Sequence, residues 1–169
     1  MRYLFLPFFI AFSIALLGQK TIKDIIEENK FTGLDGKEMT FTEIIKSKKG
    51  KVIYIDFWAS WCLPCKKEMP ASLRLNKKFN NEEIVFVYIS IDENPAFWEK
   101  SMERMKIKNA GLHFRRNQSE MRDFLKSFYI YTIPHYMIIG KNGQIHNRDA
   151  LPPSDRKLER QISKLISVK

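Results

Sequence analysis

The chain has 169 residues, of which 44% are hydrophobic, a size that suits one domain with a normal core and leaves no room for several. Lysine and arginine number 29 against 19 acidic residues, giving a formal net charge of +10. These basic residues are scattered and no arginine and aromatic recognition motif accompanies them, so solvated surface charge explains them better than binding to nucleic acid. We therefore expect no nucleic-acid partner.

The first segment, MRYLFLPFFIAFSIALLGQK, has the layout of a secretory signal. A basic Arg2 precedes an apolar run from Tyr3 to Leu17, and small or polar residues follow. We predict a signal peptide at residues 1–18 and a mature domain at residues 19–169, exported to the periplasm or cell envelope. The apolar run is shorter than the roughly 20 residues that a spanning helix needs. An uncleaved membrane anchor stays open as the alternative.

The next patterns predict a hairpin and a βαβ unit. KFTGLDGKEMTF alternates apolar and polar residues around Asp35 and Gly36, a pair that accommodates a tight β-turn. KVIYIDFW at 51–58 and IVFVYISID at 84–92 are nearly continuous apolar runs, which is typical of strands covered on both faces. The stretch between them is helical in character, with Pro70 inside it. The two strands should therefore be parallel, with a right-handed crossover.

The second half of the chain predicts two helices, a hairpin and a final helix. NPAFWEKSMERMKI and QSEMRDFLKSF read as helices, and PHYMIIGKNGQIHNRD contains an Asn142-Gly143 turn between two strands. In the last segment, Ser154 is the expected N-cap, and Leu158 and Ile162 fall on one helical face. The predicted order after the signal is hairpin, strand, helix, strand, two helices, hairpin and helix.

The two cysteines of the chain, Cys62 and Cys65, form a CxxC motif. Attachment of c-type haem requires a histidine after the second cysteine, and Lys66 stands there. A zinc site needs four ligands, and the three histidines have no paired spacing, so we expect neither a metal nor another cofactor. A structural disulfide stays open, although so short a loop restrains the unfolded chain little. The favoured interpretation is a redox-active pair.

The predicted strand-to-helix junction supports redox chemistry. The helix begins at Cys62, where unpaired backbone amides favour a thiolate over a thiol. Cys65 lies one turn further on the same helix face, within reach of a mixed disulfide between Cys62 and a substrate. Pro64 stiffens the turn between them. We assign Cys62 as the attacking sulfur and Cys65 as the more buried, resolving sulfur.

The segment FWASWCLPCKKEMP resembles the active-site segment of the thioredoxin superfamily, and within it the exported TlpA-like and ResA-like thiol-disulfide oxidoreductases. The resemblance covers nearly all of the chain after the signal. It implies an α/β thioredoxin-like fold with a central mixed β-sheet flanked by helices. The fold would also contain an N-terminal β-hairpin and a helical insertion between Pro95 and Pro134. It also implies a cis proline facing the disulfide, at Pro134 in YTIPHY.

Two carboxylates near the motif are candidates for proton transfer. Asp56 stands where thioredoxins keep a buried acid, and Glu68 matches an acid that ResA-like proteins keep near their cysteines. An unpaired, buried Asp56 would have a raised pKa and could accept the proton of Cys65; capping of a neighbouring amide is the alternative. For Glu68 the alternative is stabilisation of a helix N-terminus. Tyr88 replaces the lysine that thioredoxins pair with the acid, so the Asp56 pKa would depend on burial alone.

The resemblance also assigns a substrate surface. Trp61 is similar to the family's exposed active-site aromatic residue, and Pro64 lies in the same loop. Ile133, directly before the cis proline, could pair its backbone with an extended substrate, and it is similar to reductive thioredoxins at this position. His135 departs from the usual threonine, and packing or exposure to solvent is its expected role.

The favoured function is an exported thiol-disulfide oxidoreductase that reduces protein disulfides in the cell envelope. Its expected partners are disulfide-containing proteins and an upstream membrane or envelope thiol reductant, and we expect a monomer. A thiol peroxidase of related fold is one alternative, although the residues before Cys62 lack the threonine-containing loop of peroxiredoxins. A non-catalytic envelope binding module with a permanent disulfide is another.

Overall fold

The computed structural model describes residues 21–79, 83–117 and 121–167. The signal peptide predicted at residues 1–18 lies outside these ranges. Within them, no helix combines the length and the apolar composition needed to cross a bilayer.

A mixed β-sheet forms the centre of the described structure. Its strands are β1 (Lys30–Gly33), β2 (Glu38–Thr40), β3 (Val52–Trp58), β4 (Ile84–Ser90), β5 (Leu112–Arg116), β6 (His135–Ile139) and β7 (Ile145–Asn147). They lie in the order β2-β1-β5-β4-β3-β6-β7. β4 pairs in parallel with β3 and with β5, whereas the other neighbours are antiparallel. The central position of β3 and β4 explains why both are mostly apolar.

Helices cover both faces of this sheet. They are α1 (Ile22–Glu28), α2 (Phe41–Lys46), α3 (Leu63–Lys78), α4 (Pro95–Met105), α5 (Met121–Ser127) and α6 (Arg156–Ser167). Thr21 and Thr40 begin α1 and α2 with capping boxes, in which side chain and backbone satisfy each other's hydrogen bonds. Asn94 caps α4, and Pro95 occupies its first turn, where a missing N–H costs nothing.

The side chains of β3 alternate between two hydrophobic cores. Tyr54 and Trp58 belong to a core formed with α3, α4 and α6, whereas Ile55 and Phe57 belong to a core formed with α1, α2 and α5. Successive strand residues point to opposite faces of a sheet. Asp56 therefore lies on the face of Tyr54 and Trp58, beneath α3.

The architecture agrees with the predicted α/β arrangement of a central mixed sheet flanked by helices. The β3-α3-β4 unit is parallel, and both predicted hairpins are present. Gly36 and Gly143 have φ angles of 77° and 80° in the two hairpin turns, a region that glycine enters without a steric penalty.

The structure differs from the predicted order of elements at three places. β5 lies between α4 and α5, where two successive helices are predicted, so the helical insertion also contains a strand. Its apolar pattern is short and ends in Arg115 and Arg116. α1 and α2 have seven and six residues, too few for a clear helical period. Their capping boxes, and for α2 the burial of Phe41 and Ile44, favour the helical conformation instead.

Candidate active site

The CxxC motif lies where the chain passes from β3 into α3. Cys62 is the N-cap of α3, and its Sγ accepts a hydrogen bond from the backbone N–H of Cys65 at 3.2 Å. A disulfide joins the two residues, whose Cα atoms are 5.3 Å apart. Pro64 lies in the first turn between them. Cys62 is 4% exposed and Cys65 is 0% exposed, so Cys65 is the more buried of the pair.

Asp92, which was not among the residues predicted from the sequence to belong to the site, holds the loop that precedes the motif. The Ser60 N–H donates to Asp92 Oδ2 at 2.8 Å, and the Ser60 hydroxyl donates to Oδ1 at 2.6 Å. The Ser90 hydroxyl donates to Oδ2 at 2.7 Å. The buried Asp92 carboxylate thereby fixes Ser60, two residues before Cys62. β4 ends at Ser90 rather than at residue 92. Polar side chains at the carboxyl end of a buried parallel strand often belong to a functional site, and this pattern could have indicated Asp92 from the sequence.

Asp56 is buried in the middle of the sheet without a partner. It is directly opposite Tyr88 of β4 and Tyr136 of β6 in the strand pairing. Among the described residues, neither of its carboxylate oxygens meets a hydrogen-bond partner, which argues against the amide-capping alternative. Burial raises the pKa of Asp56 well above its usual value, and the negative charge of Glu68 raises it further. The pKa therefore does not depend on burial alone.

Glu68 ties α3 to the segment before α6. Its Oε2 accepts the Ser154 N–H at 2.9 Å, and its Oε1 accepts the Ser154 hydroxyl at 2.8 Å. The prediction of Ser154 as the N-cap of α6 is wrong, because α6 begins at Arg156 and the cap position is therefore Asp155. Asp155 lies next to the helix instead, and its carboxylate accepts the Lys157 N–H at 2.8 Å.

The peptide bond between Ile133 and Pro134 is cis, as predicted. His135 pairs with Phe57 in the β3-β6 ladder, which brings Pro134 to the end of β3 that leads into the CxxC loop. Ile133 packs against both cores, including the core that contains the cysteines. His135 Nε2 lies 2.8 Å from the carbonyl oxygen of Arg148. The contacts of His135 therefore connect β6 to the segment after β7.

Large apolar side chains are exposed around this end of the sheet. Trp61 is 66% exposed and Tyr131 is 73% exposed, whereas Trp58 is fully buried. A groove of about 340 Å³ runs beside Pro134. Its lining consists of Phe128, Tyr129, Tyr131, Thr132, His135, Arg148 and Asp149. The guanidinium of Arg148 lies 4.9 Å from the centre of the Tyr129 ring, so the groove combines aromatic surface with a cation.

The histidines considered as zinc ligands lie apart from the cysteines. His113 is buried, stacks on Tyr88 with ring centres 4.7 Å apart, and has its Nε2 2.8 Å from the Ile107 carbonyl oxygen. Burial lowers the pKa of His113 to about 4, so this ring is neutral at physiological pH. Among the residues that the structure describes, no group of three or more histidine, cysteine or acidic side chains could hold a metal ion.

Comparison with known proteins agrees with this geometry. Residues 50–145, more than half of the chain, match the model of a family described as thioredoxin-like. The chain belongs to the thioredoxin-like family. Thiol-disulfide oxidoreductase ResA of Bacillus thuringiensis subsp. konkukian is 24% identical over 134 residues, which cover 79% of this chain and 72% of that protein. ResA of Bacillus subtilis is also 24% identical, over 136 residues that cover 79% of this chain and 71% of that protein.

Two solved structures from Bacteroides vulgatus extend the similarity to three dimensions. A crystal structure of a candidate thiol-disulfide oxidoreductase is 31% identical, with a TM-score of 0.68 over 80% of this chain and 90% of that one. A solution structure of another such candidate is 28% identical, with a TM-score of 0.71 over 91% and 93% of the two chains. The predicted resemblance to ResA-like proteins, the thioredoxin-like fold and the enzyme class of thiol-disulfide oxidoreductase are confirmed.

Proposed function

We propose that the protein is an exported enzyme that reduces disulfide bonds of proteins in the cell envelope. The observation that carries the proposal is the Cys62–Cys65 disulfide at the N-terminus of α3, on the sheet face where Asp56 is buried and unpaired. A permanent staple gains nothing from such a carboxylate. A dithiol that loses and regains protons needs an acceptor close to it.

The reaction in the reducing direction has two steps. The Cys62 thiolate, stabilised by the amides that begin α3, attacks the substrate disulfide, bonds to one substrate sulfur and expels the other as a thiolate. Cys65 then gives its thiol proton to Asp56, bonds to the Cys62 sulfur and expels the second substrate sulfur as a thiolate. Two electrons have passed to the substrate. The new Cys62–Cys65 disulfide is returned to the dithiol by an upstream thiol reductant of the membrane or envelope.

Glu68 has a second place in this scheme. Its negative charge opposes ionisation of Asp56, which makes Asp56 a better proton acceptor once it is ionised. The carboxylate is held by Ser154, so its distance from the sheet is fixed. Glu68 therefore assists Asp56, and Asp56 is the group that takes the proton of Cys65.

The substrate surface in this proposal surrounds the disulfide. Trp61 offers an exposed ring next to Cys62, and Pro64 shapes the same loop. Ile133 offers its backbone beside Pro134 to an extended segment of the substrate. Tyr131 and the neighbouring groove lengthen this surface with aromatic area, which binds polypeptide at a low entropic cost.

The direction of the redox reaction and the cellular location of the protein are supported by separate observations. Ile133 is similar to reductive thioredoxins at the position before the cis proline, and this favours reduction over oxidation. The basic and apolar layout of residues 1–18 supports export. Export also fits the formation of a disulfide, since oxidising compartments maintain disulfides and the cytosol does not.

The first test is reduction of insulin by the protein with dithiothreitol as the source of electrons. We expect catalysis by the wild type and none by Cys62→Ser, because the remaining sulfur, that of Cys65, is fully buried. Cys65→Ser should accumulate a mixed disulfide that mass spectrometry detects. Turnover like that of the wild type in either variant contradicts the mechanism.

The second test is a redox titration of the cysteine pair against glutathione and dithiothreitol. If the protein is a reductase, the reduction potential of the Cys62–Cys65 pair should be high enough for an envelope thiol reductant to reduce the disulfide. A potential below about −300 mV, typical of structural disulfides, together with no insulin reduction, contradicts the proposal. Rapid consumption of peroxide by Cys62 would favour the thiol peroxidase alternative instead.

A further inference from the structure

Three tyrosines share the sheet face of Asp56. Tyr54 belongs to β3 itself, and Tyr88 and Tyr136 stand directly opposite Asp56 on the two neighbouring strands. Residues directly opposite each other in neighbouring strands have Cβ atoms about 5 Å apart and point to the same face. All three rings are buried in the core that contains the cysteines.

The hydroxyl groups of these tyrosines differ in their partners. Tyr54 donates to the carbonyl oxygen of Leu151 at 2.9 Å. The Tyr88 hydroxyl pairs with the Ser72 hydroxyl at 2.8 Å. The Tyr136 hydroxyl is buried and, within the described residues, meets no hydrogen-bond partner. Asp56 and Tyr136 are thus opposite each other with unsatisfied polar atoms, and buried polar groups rarely stay unsatisfied.

Charge connects this pair to Glu68. Burial is the main cause that raises the pKa of Tyr136, and the charges of Asp56 and Glu68 both add to the rise. Glu68 likewise acts on Asp56. Tyr136 therefore lies within electrostatic reach of both acids. Glu68 is half-buried and therefore in contact with solvent, whereas Asp56 is almost fully buried.

Among the described residues, α3 contributes Glu68 and the two cysteines, and β3, β4 and β6 contribute the three tyrosines. β5 contributes His113, which stands beyond Tyr88 in the strand pairing and is neutral at physiological pH. α4 and α6 present Trp98, Met102, Leu158 and Ile162 to this core, which do not titrate. The hydroxyls of Tyr54 and Tyr88 are already engaged. Tyr136 is the titratable neighbour on this face whose hydroxyl is free to change partners.

We propose that the Tyr136 hydroxyl is the hydrogen-bonding partner of Asp56 during turnover and passes its proton towards Glu68 and the solvent. Tyr136 acts through Asp56, so it is a positioning residue. The inference rests on the proposed function, because it concerns the proton that Cys65 releases.

Cys65 gives its proton to Asp56 as the Cys62–Cys65 bond forms and the bond from Cys62 to the substrate sulfur breaks. Neutral Asp56 then gives this proton to the Tyr136 oxygen, while the hydroxyl proton of Tyr136 passes to the Glu68 carboxylate. Glu68 releases a proton to solvent. Asp56 and Glu68 end as carboxylates, Tyr136 is unchanged, and the substrate keeps both electrons.

The test compares Tyr136→Phe with Tyr54→Phe. Each variant removes one buried hydroxyl from the same face, and the two rings stack on each other with centres 5.7 Å apart. The pH at which Asp56 ionises is measured by infrared difference spectroscopy, with Asp56→Asn identifying the band. The rate of the resolving step is measured against pH in single-turnover stopped-flow experiments.

We expect Tyr136→Phe to raise the pH at which Asp56 ionises, because the carboxylate loses its hydrogen-bond donor. We expect the resolving step to slow about 10-fold, a part of the effect of a whole proton-transfer group. Tyr54→Phe should lower the melting temperature and leave both pH profiles in place. Glu68→Gln should move Asp56 ionisation in the opposite direction, to lower pH, because it removes a negative charge.

A Tyr136→Phe protein whose Asp56 ionisation and resolving rate follow those of the wild type overturns this inference. So does a shift of equal size in Tyr54→Phe, since the effect would then belong to packing. Near-ultraviolet circular dichroism establishes that both variants are folded. A different result would contradict the proposed function itself, namely insulin reduction by the Cys62→Ser variant.

Discussion

Two buried carboxylates lie near the disulfide, and their surroundings are opposite. Asp92 receives three hydrogen bonds, from the Ser60 amide and from the hydroxyls of Ser60 and Ser90. Asp56 receives none from the described residues, although both acids are almost fully buried. Burial is therefore the same in the two places, and the supply of donors is what separates an acid that holds a loop from an acid that can exchange a proton.

The difference is built into the strands. Asp92 follows the end of β4, where the chain leaves the sheet and loop amides are free to donate. Asp56 lies inside β3, where the backbone amides are committed to the ladders with β4 and β6. A carboxylate in that position depends on side chains for donors, and its neighbours are tyrosines.

The largest effect is expected from Asp92→Ala. It removes three hydrogen bonds to a charged acceptor and leaves the donors of Ser60 and Ser90 buried, so the free energy of unfolding should fall by about 3 to 5 kcal/mol. Urea denaturation measures it. Asp123→Ala, which truncates an exposed acid in α5, is the control and should stay within about 0.5 kcal/mol. A similar small change for Asp92→Ala would show that its hydrogen bonds do not hold the loop.

Asp56→Asn should have the next largest effect. It should change the rate of the resolving step rather than the free energy of unfolding. Without a proton acceptor the resolving step should slow about 100-fold, which is about 2.7 kcal/mol of barrier. Single-turnover reduction of a model disulfide measures this step. Cys62 attack should be unaffected, so the mixed disulfide should accumulate. Resolution at the rate of the wild type would place the proton acceptor elsewhere.

The β3-α3-β4 unit could be predicted from residues that are close together in the sequence. Its elements are long and bury whole faces, so each has a clear apolar pattern, in the run at 51–58, the helical stretch after it and the run at 84–92. The CxxC is likewise a local motif, whereas the cis form of Pro134 was predicted from the resemblance to the thioredoxin superfamily. α1, α2 and β5 were missed because capping boxes and strand pairing, rather than an apolar period, make them form.

The partners of the acids could not be predicted in the same way. Asp92 meets Ser60 across 32 positions of sequence, and the register of β3 and β6 places Tyr136 opposite Asp56. A shift of one residue in that register would turn Tyr136 to the other face. The sequence shows that Asp56 is in an apolar strand, but the strand order and register decide what surrounds it.

The dependence of stability on pH should separate the two acids further. The pKa of Asp56 is raised in the folded protein, so its contribution to stability is full below the unfolded pKa of about 4 and is lost as the pH rises through the folded pKa. Asp56→Asn does not ionise. It should match the wild type near pH 4 and become increasingly more stable than the wild type as the pH rises towards 8. Denaturation of both proteins at several pH values measures the difference, and parallel curves would contradict a buried, ionising Asp56.

Ser60→Ala is the smallest of these changes and tests whether partners alone distinguish the two acids. It removes the donor to Asp92 Oδ1 and leaves the Ser60 N–H and the Ser90 hydroxyl in place. The free energy of unfolding should fall by about 1.5 kcal/mol, as for a hydrogen bond to a charged group. Ser127→Ala is the matched control, because its hydroxyl donates to the neutral Phe124 carbonyl at 2.7 Å, and it should cost about 0.5 kcal/mol. Equal costs for the two serines would mean that the charge of Asp92 does not strengthen its hydrogen bonds, and the contrast with Asp56 would then need another cause.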